Sequence, residues 1–217
     1  SAPFFSNDGT RIGFVSDDAL RKVPASGGRV QVVTPLLHED FAGASWTDRD
    51  EIIYATTSGL HRVAADGGSA SLLLSPVDDE REFRWPDAVG GSGFFLFEVA
   101  LDTGTSRVEA LSLDTGERRM VLREASLPRY ARSGHLLFVR GQALWGVAFD
   151  PDRMEVAGQP RVLVPPDRPV EHIWYAISGN GTLVLGYPAS NGPSLFTLVL
   201  HWEGELDRLA PADTKGR

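Results

Sequence analysis

A polar turn followed by a short apolar strand is written five times along this chain. Ser6-Asn7-Asp8-Gly9 precedes Thr10 to Val15, and Thr47-Asp48-Arg49-Asp50 precedes Glu51 to Ala55. Val89 to Gly93 precedes Phe94 to Phe97, Arg132-Ser133-Gly134 precedes His135 to Val139, and Ser178-Gly179-Asn180-Gly181 precedes Thr182 to Leu185. The residues that end these strands, Phe14, Tyr54, Phe97, Phe138 and Leu185, recur about every 40 to 47 positions. A fixed period of that size signals an array of like units, and no single-core fold explains it.

Each unit carries further landmarks. An aromatic residue sits before the turn: Phe5, Trp46, Trp85, Tyr130 and Tyr175. A third strand ends downstream in a Gly turn, as in LRKVPASGG (20–28), LHRVAADGG (60–68), VEALSLDTGE (108–117) and LFTLVLHWEGE (195–205). A short fourth strand follows: VQVVT (30–34), ASLLL (70–74), RRMVL (118–122), RVLV (161–164) and LDRLA (206–210). Asp and Asn fold back on the local backbone and Gly supplies positive φ, as hairpins require. No stretch shows a sustained 3.6-residue apolar period with caps, so almost no helix is expected.

These observations predict an all-β fold, a β-propeller of four-stranded antiparallel blades. The five repeat units run over approximately 1–37, 38–77, 78–124, 125–168 and 169–211 of a single propeller or a fragment of one. The second strands IIY, FFLF and LLFV are apolar on both faces, as befits sheets covered on both sides. The chain opens on an inner strand and closes after an outer one. We therefore expect a parent propeller of six or more blades, with a closed five-bladed ring as the alternative. Pairing between copies is a third way to cover open ends.

Composition narrows the partners. The net charge of −8 disfavours nucleic acid and anionic membrane surfaces, which demand clustered Lys and Arg. Without cysteine there is no disulfide, thiolate metal site or cysteine nucleophile. The longest apolar runs, GFFLF at 93–97 and LFTLVL at 195–200, fall short of the roughly 18 residues of a spanning helix, so no direct membrane insertion of this segment is expected.

Side chains with chemistry are scattered. His38, His61, His135, His172 and His201 form no local metal pair and read as separate surface residues. Asp150-Pro151-Asp152-Arg153 alternates carboxylates as a calcium loop does, but it lacks the Gly and distal Glu of an EF-hand and reads as a turn. Asp48 and Asp50, and Asp78-Asp79-Glu80, read as solvated turn residues. There is no Gly-x-Ser-x-Gly and no phosphate-loop spacing. The recurrent aromatics read as packing between units. No catalytic, cofactor-binding or metal residue is assigned. Arg84, Arg129 and His172, beside the first strands, are the candidates for side chains reaching a propeller axis.

PFFSNDGTRIGFVSDDALRKVPASGG followed by GASWTDRDEIIYATTSGLHRVAADGG resembles the TolB-like, Trp-Asp-repeat-like propeller region of bacterial serine/threonine protein kinases. RWPDAVGGSGFFLF (84–97), ARSGHLLFVRGQALWGVAFDPDRMEVAGQP (131–160) and ISGNGTLVLGYP (177–188) extend the resemblance over essentially the whole chain. Asn7 stands where that family usually has Pro, and Asp50 where it has Gly. The resemblance implies a non-catalytic binding or sensor propeller, carboxy-terminal to a kinase domain and across a membrane helix from it. That location would be extracytoplasmic. No kinase motif is present in these residues, and no cofactor is implied. The expected partner is a protein, a peptide or a small molecule held on one propeller face. The alternative function is that of a propeller enzyme, a lyase or hydrolase, or the gating propeller of a serine peptidase.

Overall fold

Alternating apolar runs and Asp/Gly turns leave the backbone one economical solution, the up-and-down antiparallel sheet. The computed structural model describes residues 3–36, 40–166, 174–178, 182–187 and 195–200, together with Trp202, Gly204 and Arg208. The chain divides into two compact units, 1–120 and 121–217.

The first unit holds three sheets. The first comprises β1 (Phe4–Phe5), β2 (Arg11–Ser16), β3 (Ala19–Pro24) and β4 (Gln31–Pro35). The second comprises β5 (Phe41–Trp46), β6 (Glu51–Thr56), β7 (Gly59–Ala64) and β8 (Ser71–Leu74). The third comprises β9 (Glu80–Val89), β10 (Phe94–Leu101), β11 (Ser106–Ser112) and β12 (Arg118–Arg123), whose last residues cross into the second unit. The second unit holds β13 (Ser126–Ala131), β14 (His135–Arg140), β15 (Ala143–Asp150) and β16 (Glu155–Val164), then β17 (Trp174–Ile177), β18 (Thr182–Tyr187) and β19 (Leu195–Leu200). Strands follow one another in space as in sequence within every sheet. Five small sheets in this order fit a propeller.

Cross-strand registers make the repeat quantitative. Ile12 pairs with Phe5 and Val23, and Ile52 pairs with Trp46 and Val63. The same frame carries through Phe95 opposite Ala88, Leu136 opposite Tyr130 and Leu183 opposite Ile177. Phe14, Tyr54, Phe97, Phe138 and Leu185 therefore occupy one equivalent position in all five sheets. The pre-turn aromatics do not. Phe5, Trp46 and Tyr130 are equivalent, whereas Ala88 holds that place in the third sheet and Ile177 in the fifth. Trp85 lies three residues upstream of Ala88, and Tyr175 two upstream of Ile177.

The reason is a bulge in the first strand. Registers shift between Phe41 and Ala44, between Arg84 and Asp87, and between Ser126 and Arg129. At each shift one residue takes positive φ: Gly43 (110°), Trp85 (51°) and Leu127 (51°). Pro86 and Pro128 follow, and a residue without an N–H is tolerated where the ladder is already broken. A bulky side chain at positive φ is strained and persists only when its surroundings hold it. Trp85 lies directly on Gly43 of the neighbouring sheet: a Cβ built there would stand 2.9 Å from the Trp85 ring and 3.1 Å from its Cα.

Two corrections concern outer strands. β16 runs over ten residues, 155–164, because Ala148 pairs with Ala157 and Gly146 with Arg161, leaving a looped-out segment around Gly158. The stretch 206–210 was expected to be a fourth strand. Arg208 alone of it is described, and its backbone is helical. Leu206 and Leu209 suit a helical turn as well as a strand, and periodicity cannot separate the two in so short a run.

The core lies between sheet faces. Ile52, Tyr54 and Val63 of the second sheet pack with Leu20, Val33 and Leu36 of the first. Its opposite face, Ile53, Ala55 and Leu60, packs with Phe83, Phe95, Phe97 and Val99 of the third. In the second unit Leu137 and Leu144 meet Leu183, Leu185 and Trp202. Each fully buried side chain of this size contributes about 1.5–3 kcal/mol of transfer free energy, so the middle strand of a covered sheet contributes on both faces.

The Gly43 contact gives a test. Gly43→Ala combines positive φ with overpacking against Trp85 and should destabilise the protein by about 1–3 kcal/mol. Urea denaturation followed by tryptophan fluorescence measures this, and an unchanged midpoint would refute the contact.

Candidate functional site

The two ends of the sheets in the first unit differ in chemistry. One end carries the tight turns between first and second strands and between third and fourth strands. These turns are tied down. In the first of them Asp8 accepts from the Ser6 hydroxyl at 2.6 Å and from the Thr10 N–H at 3.0 Å and hydroxyl at 2.8 Å. The Ser6 bond, then the two Thr10 bonds, hold its carboxyl down at about 2.

Neighbouring sheets are clasped at the same end. Lys22 reaches Asp66 at 2.8 Å, and the Gly68 N–H donates to the Val33 carbonyl at 3.2 Å. Arg11 lies over the Trp46 ring and 3.5 Å from Asp50, which also accepts from Trp46 Nε1 at 2.8 Å. Arg49 grips Asp114 through both nitrogens at 2.5 and 2.7 Å, and Gly91 N–H donates to Asp48 at 2.9 Å. Hydrogen bonding to Arg49 lowers the Asp114 pKa. Asp48 and Asp50 are exposed turn residues, as expected, and are in addition engaged in these ties.

The opposite end carries the turns between second and third strands and the connections between sheets. Asp17, Asp18, Asp40, Asp78, Asp79 and Asp102 all lie exposed there, with Thr57, Ser58, Thr103 and Thr105 among them. Asp17 and Asp18 both have positive φ, the geometry of a two-residue hairpin turn, and Asp78 has positive φ as well. Backbone bonds from Leu36 N–H to the Asp18 carbonyl and from Asp102 N–H to the Asp79 carbonyl join turns to connections. No Lys or Arg occurs in 16–19, 56–59, 75–80 or 101–105. The nearest cations are themselves paired: Arg21 lies 3.3 Å from Asp17 and Arg81 3.4 Å from Glu82. This end is an acidic, hydroxyl-bearing surface on a rigid base.

A third polar group is internal. Glu80 and Glu109 are buried in the third sheet, and each is bound by both Arg107 and Arg118. The Arg118 guanidinium also lies over the Phe83 and Phe97 rings at 5.3 and 5.7 Å. Burial opposes its charge, but hydrogen bonds to Glu80 and Glu109 outweigh that and raise its pKa. Two carboxylates and two guanidiniums balance, which is how charge survives inside a fold. Glu80, which the sequence suggests is a solvated turn residue beside Asp78 and Asp79, is instead buried against Arg107 and Arg118. The signal of the group was Arg107 and Glu109 at register positions where the second sheet places Gly59 and His61 and the fourth Ala143 and Trp145.

Of the axial candidates, Arg84 and Arg129 are described. Arg84 is engaged with Glu82 and lies 4.0 Å from Glu98. Arg129 donates to the Pro128 carbonyl at 2.9 Å. They occupy different register positions, Arg84 opposite Glu98 before the bulge and Arg129 opposite Leu137 after it. His172 lies outside the described residues, as do His38 and His201. His61 stacks on Tyr54 at 5.1 Å and meets Thr56 Oγ1 and Ser58 Oγ at 3.1 and 2.9 Å. His135 is buried beside Ser133 Oγ at 3.1 Å and is not a surface residue. Asp150 accepts from the N–H groups of Asp152 and Arg153 at 3.0 and 3.1 Å, closing the turn expected there. Among the described residues no three His, Asp or Glu cluster to hold a metal, and no helix is long and apolar enough to cross a membrane.

Two measurements probe these assignments. Asp8 should titrate near pH 2 by carboxyl NMR. Its folded pKa is depressed below the ordinary 3.8, so its contribution to stability is full above about pH 4 and is lost as pH falls through about 2. Arg118→Met should destabilise by about 3–5 kcal/mol, because Glu80 and Glu109 lose a shared cation. Replacing Arg107, Arg118, Glu80 and Glu109 together by apolar residues should cost far less, and equal losses in the two variants would refute the network.

No protein-family model matches the sequence, and no curated protein does. Among solved structures, a TolB-like protein of Agrobacterium tumefaciens superposes with a TM-score of 0.69 at 14% identity, over 91% of this chain and 75% of that one. TolB from Acinetobacter baumannii gives a TM-score of 0.69 at 13% identity, over 93% of this chain and 51% of that one. An oligogalacturonate lyase in complex with manganese gives 0.62 at 9% identity, over 92% of this chain and 65% of that one. Identities this low speak to the fold alone. The chain thus has the sheet architecture of the TolB-like β-propeller proteins.

Proposed function

We propose that this chain is a non-catalytic binding module, whose acidic connection-bearing end takes a cationic segment of a protein or peptide. The observation that supports this most directly is the exposed set Asp17, Asp18, Asp40, Asp78, Asp79 and Asp102 at one end of the first unit, in turns devoid of basic residues. A rigid sheet stack with its polar loops gathered at one end is a common platform for recognition. Carboxylates separated by less than a Debye length reinforce one another against a multivalent cation. Hydroxyls of Thr57, Ser58, Thr103 and Thr105 supply neutral hydrogen bonds beside them.

Several charged groups elsewhere are engaged with one another, Arg84 with Glu82, Arg107 and Arg118 with Glu80 and Glu109, and Arg49 with Asp114, while within the acidic set Asp17 pairs with Arg21. That favours binding over chemistry. The fold is shared with a lyase, and fold alone does not transfer an activity. A parent serine/threonine kinase and an extracytoplasmic location are the context the sequence resemblance implies. They rest on that resemblance, since none of the relatives named above is a kinase.

Titration with Lys/Arg-rich peptides, read by fluorescence anisotropy, tests this reading. Affinity should fall steeply as salt rises, and Asp78→Asn/Asp79→Asn/Asp102→Asn should weaken it at least about tenfold. Asn tolerates the positive φ at position 78, so the fold should be kept. Salt-insensitive binding, or full affinity in the triple variant, would reject it.

A further inference from the structure

Within the first unit, the equivalent faces of the first and second sheets are built alike but covered differently. In the second sheet Trp46, Ile52, Tyr54, Val63 and Ala65 are all buried, packed with Phe4, Val15, Leu20, Val33 and Leu36 of the first sheet. Trp46 meets the Phe4 ring at 6.3 Å and the Arg11 guanidinium at 5.8 Å. The registers make Phe5, Ile12, Phe14, Val23 and Ala25 the counterparts of those five residues in the first sheet. None of them is buried. Phe5 is 61% exposed where Trp46 is 5% exposed, Ala25 is exposed, and Ile12, Phe14 and Val23 are partly covered. The face has the chemistry of a sheet-to-sheet interface.

The second unit presents the complementary half. In the fifth sheet Trp174 pairs with Gly186 and Ala176 with Val184, so these four share one face. Val184 is the counterpart of Ile53 and Leu137, both fully buried, yet it is only partly covered. Ala176 is exposed and Trp174 is 44% exposed. This is the face that, in the second and fourth sheets, packs against the next sheet in sequence. What fits the bare face of a first sheet is such a face, and each copy of the chain carries one of each.

We propose that a second copy of this chain docks by that same interface, the Trp174–Val184 face of one copy seating on the Phe5–Ile12–Phe14–Val23 face of the other. Such an interface is heterologous, since two different patches meet. Its energy comes from the aromatic anchors Phe5 and Trp174, whose exposed area is the largest on either face. Exposed aromatics of this kind are where association energy concentrates.

Sedimentation velocity of the 217-residue chain tests the proposal. The wild type should sediment above its 23.5 kDa monomer mass. Phe5→Glu and Trp174→Glu should each weaken self-association at least about tenfold, with thermal midpoints close to wild type because both side chains are exposed. An equimolar mixture of the two variants should recover a pair, since one copy keeps an intact first-sheet face and the other an intact fifth-sheet face. Phe5→Gln and Trp174→Gln serve if glutamate disturbs folding. A wild type that stays at 23.5 kDa up to about 100 μM overturns the proposal and leaves both faces to a further sheet from outside these residues. A mixture that remains monomeric overturns it too, in favour of like faces meeting.

Discussion

Burial of both faces of the second strands β6, β10 and β14 is the constraint from which the rest of this structure follows. β6 places Ile52 and Tyr54 on one side and Ile53 and Ala55 on the other, and all four are buried. A sheet with two apolar faces cannot stand in water, and a helix laid across it would need an amphipathic segment that this chain does not contain. The remaining way to cover it is another copy of the same sheet. Repetition is therefore the consequence of two-sided hydrophobicity. The even spacing of Phe14, Tyr54, Phe97, Phe138 and Leu185 is its trace in the sequence.

Stacking alone would let sheets slide, because flat apolar faces specify position weakly. Position is set by polar contacts at the rims and by the bulges of the first strands. Lys22 with Asp66, Arg49 with Asp114, and the Gly91 N–H with Asp48 join the first sheet to the second and the second to the third at one end. The exposed Arg49–Asp114 pair contributes little energy by itself, and Lys22, which is buried, keeps its charge only by reaching Asp66, so both pairs act on register. The bulge at Trp85 adds a steric key, since its ring and backbone lie against a residue that must be Gly43. With one end committed to these ties, the other is left to carry Asp17, Asp18, Asp78, Asp79 and Asp102, and a function can be written there without disturbing the stack.

The buried group of Glu80, Glu109, Arg107 and Arg118 shows a different use of charge. An apolar quartet would serve stability as well or better. What charge adds is strand register within the third sheet, since a slipped β9 or β12 would leave a carboxylate unpaired. The third sheet thus carries a polar key where the second stacks His61 on Tyr54 and the fourth places Trp145. Individual sheets are similar in frame and distinct in fastening.

Strand order within the sheets, the position of the turns and the apolar residue near the end of each second strand are legible in the residues alone. These depend on local chemistry: hydrophobic period, Gly and Asp in turns, and the absence of a helical pattern. The sequence also marked Asp150–Arg153 as a turn, because an Asx side chain closes its own backbone. Only the tertiary structure decided that Trp85 is not the counterpart of Trp46, since a bulge shifts register without leaving a residue signature beyond a following Pro. Only it joined Glu80 to Arg118 and Arg49 to Asp114, because such pairs form between strands far apart in the chain and each residue reads, alone, as ordinary surface charge. And only it separated the covered face of the second sheet from the bare face of the first, because Ile12 and Ile52 are the same residue in the same frame and differ in nothing but what lies against them.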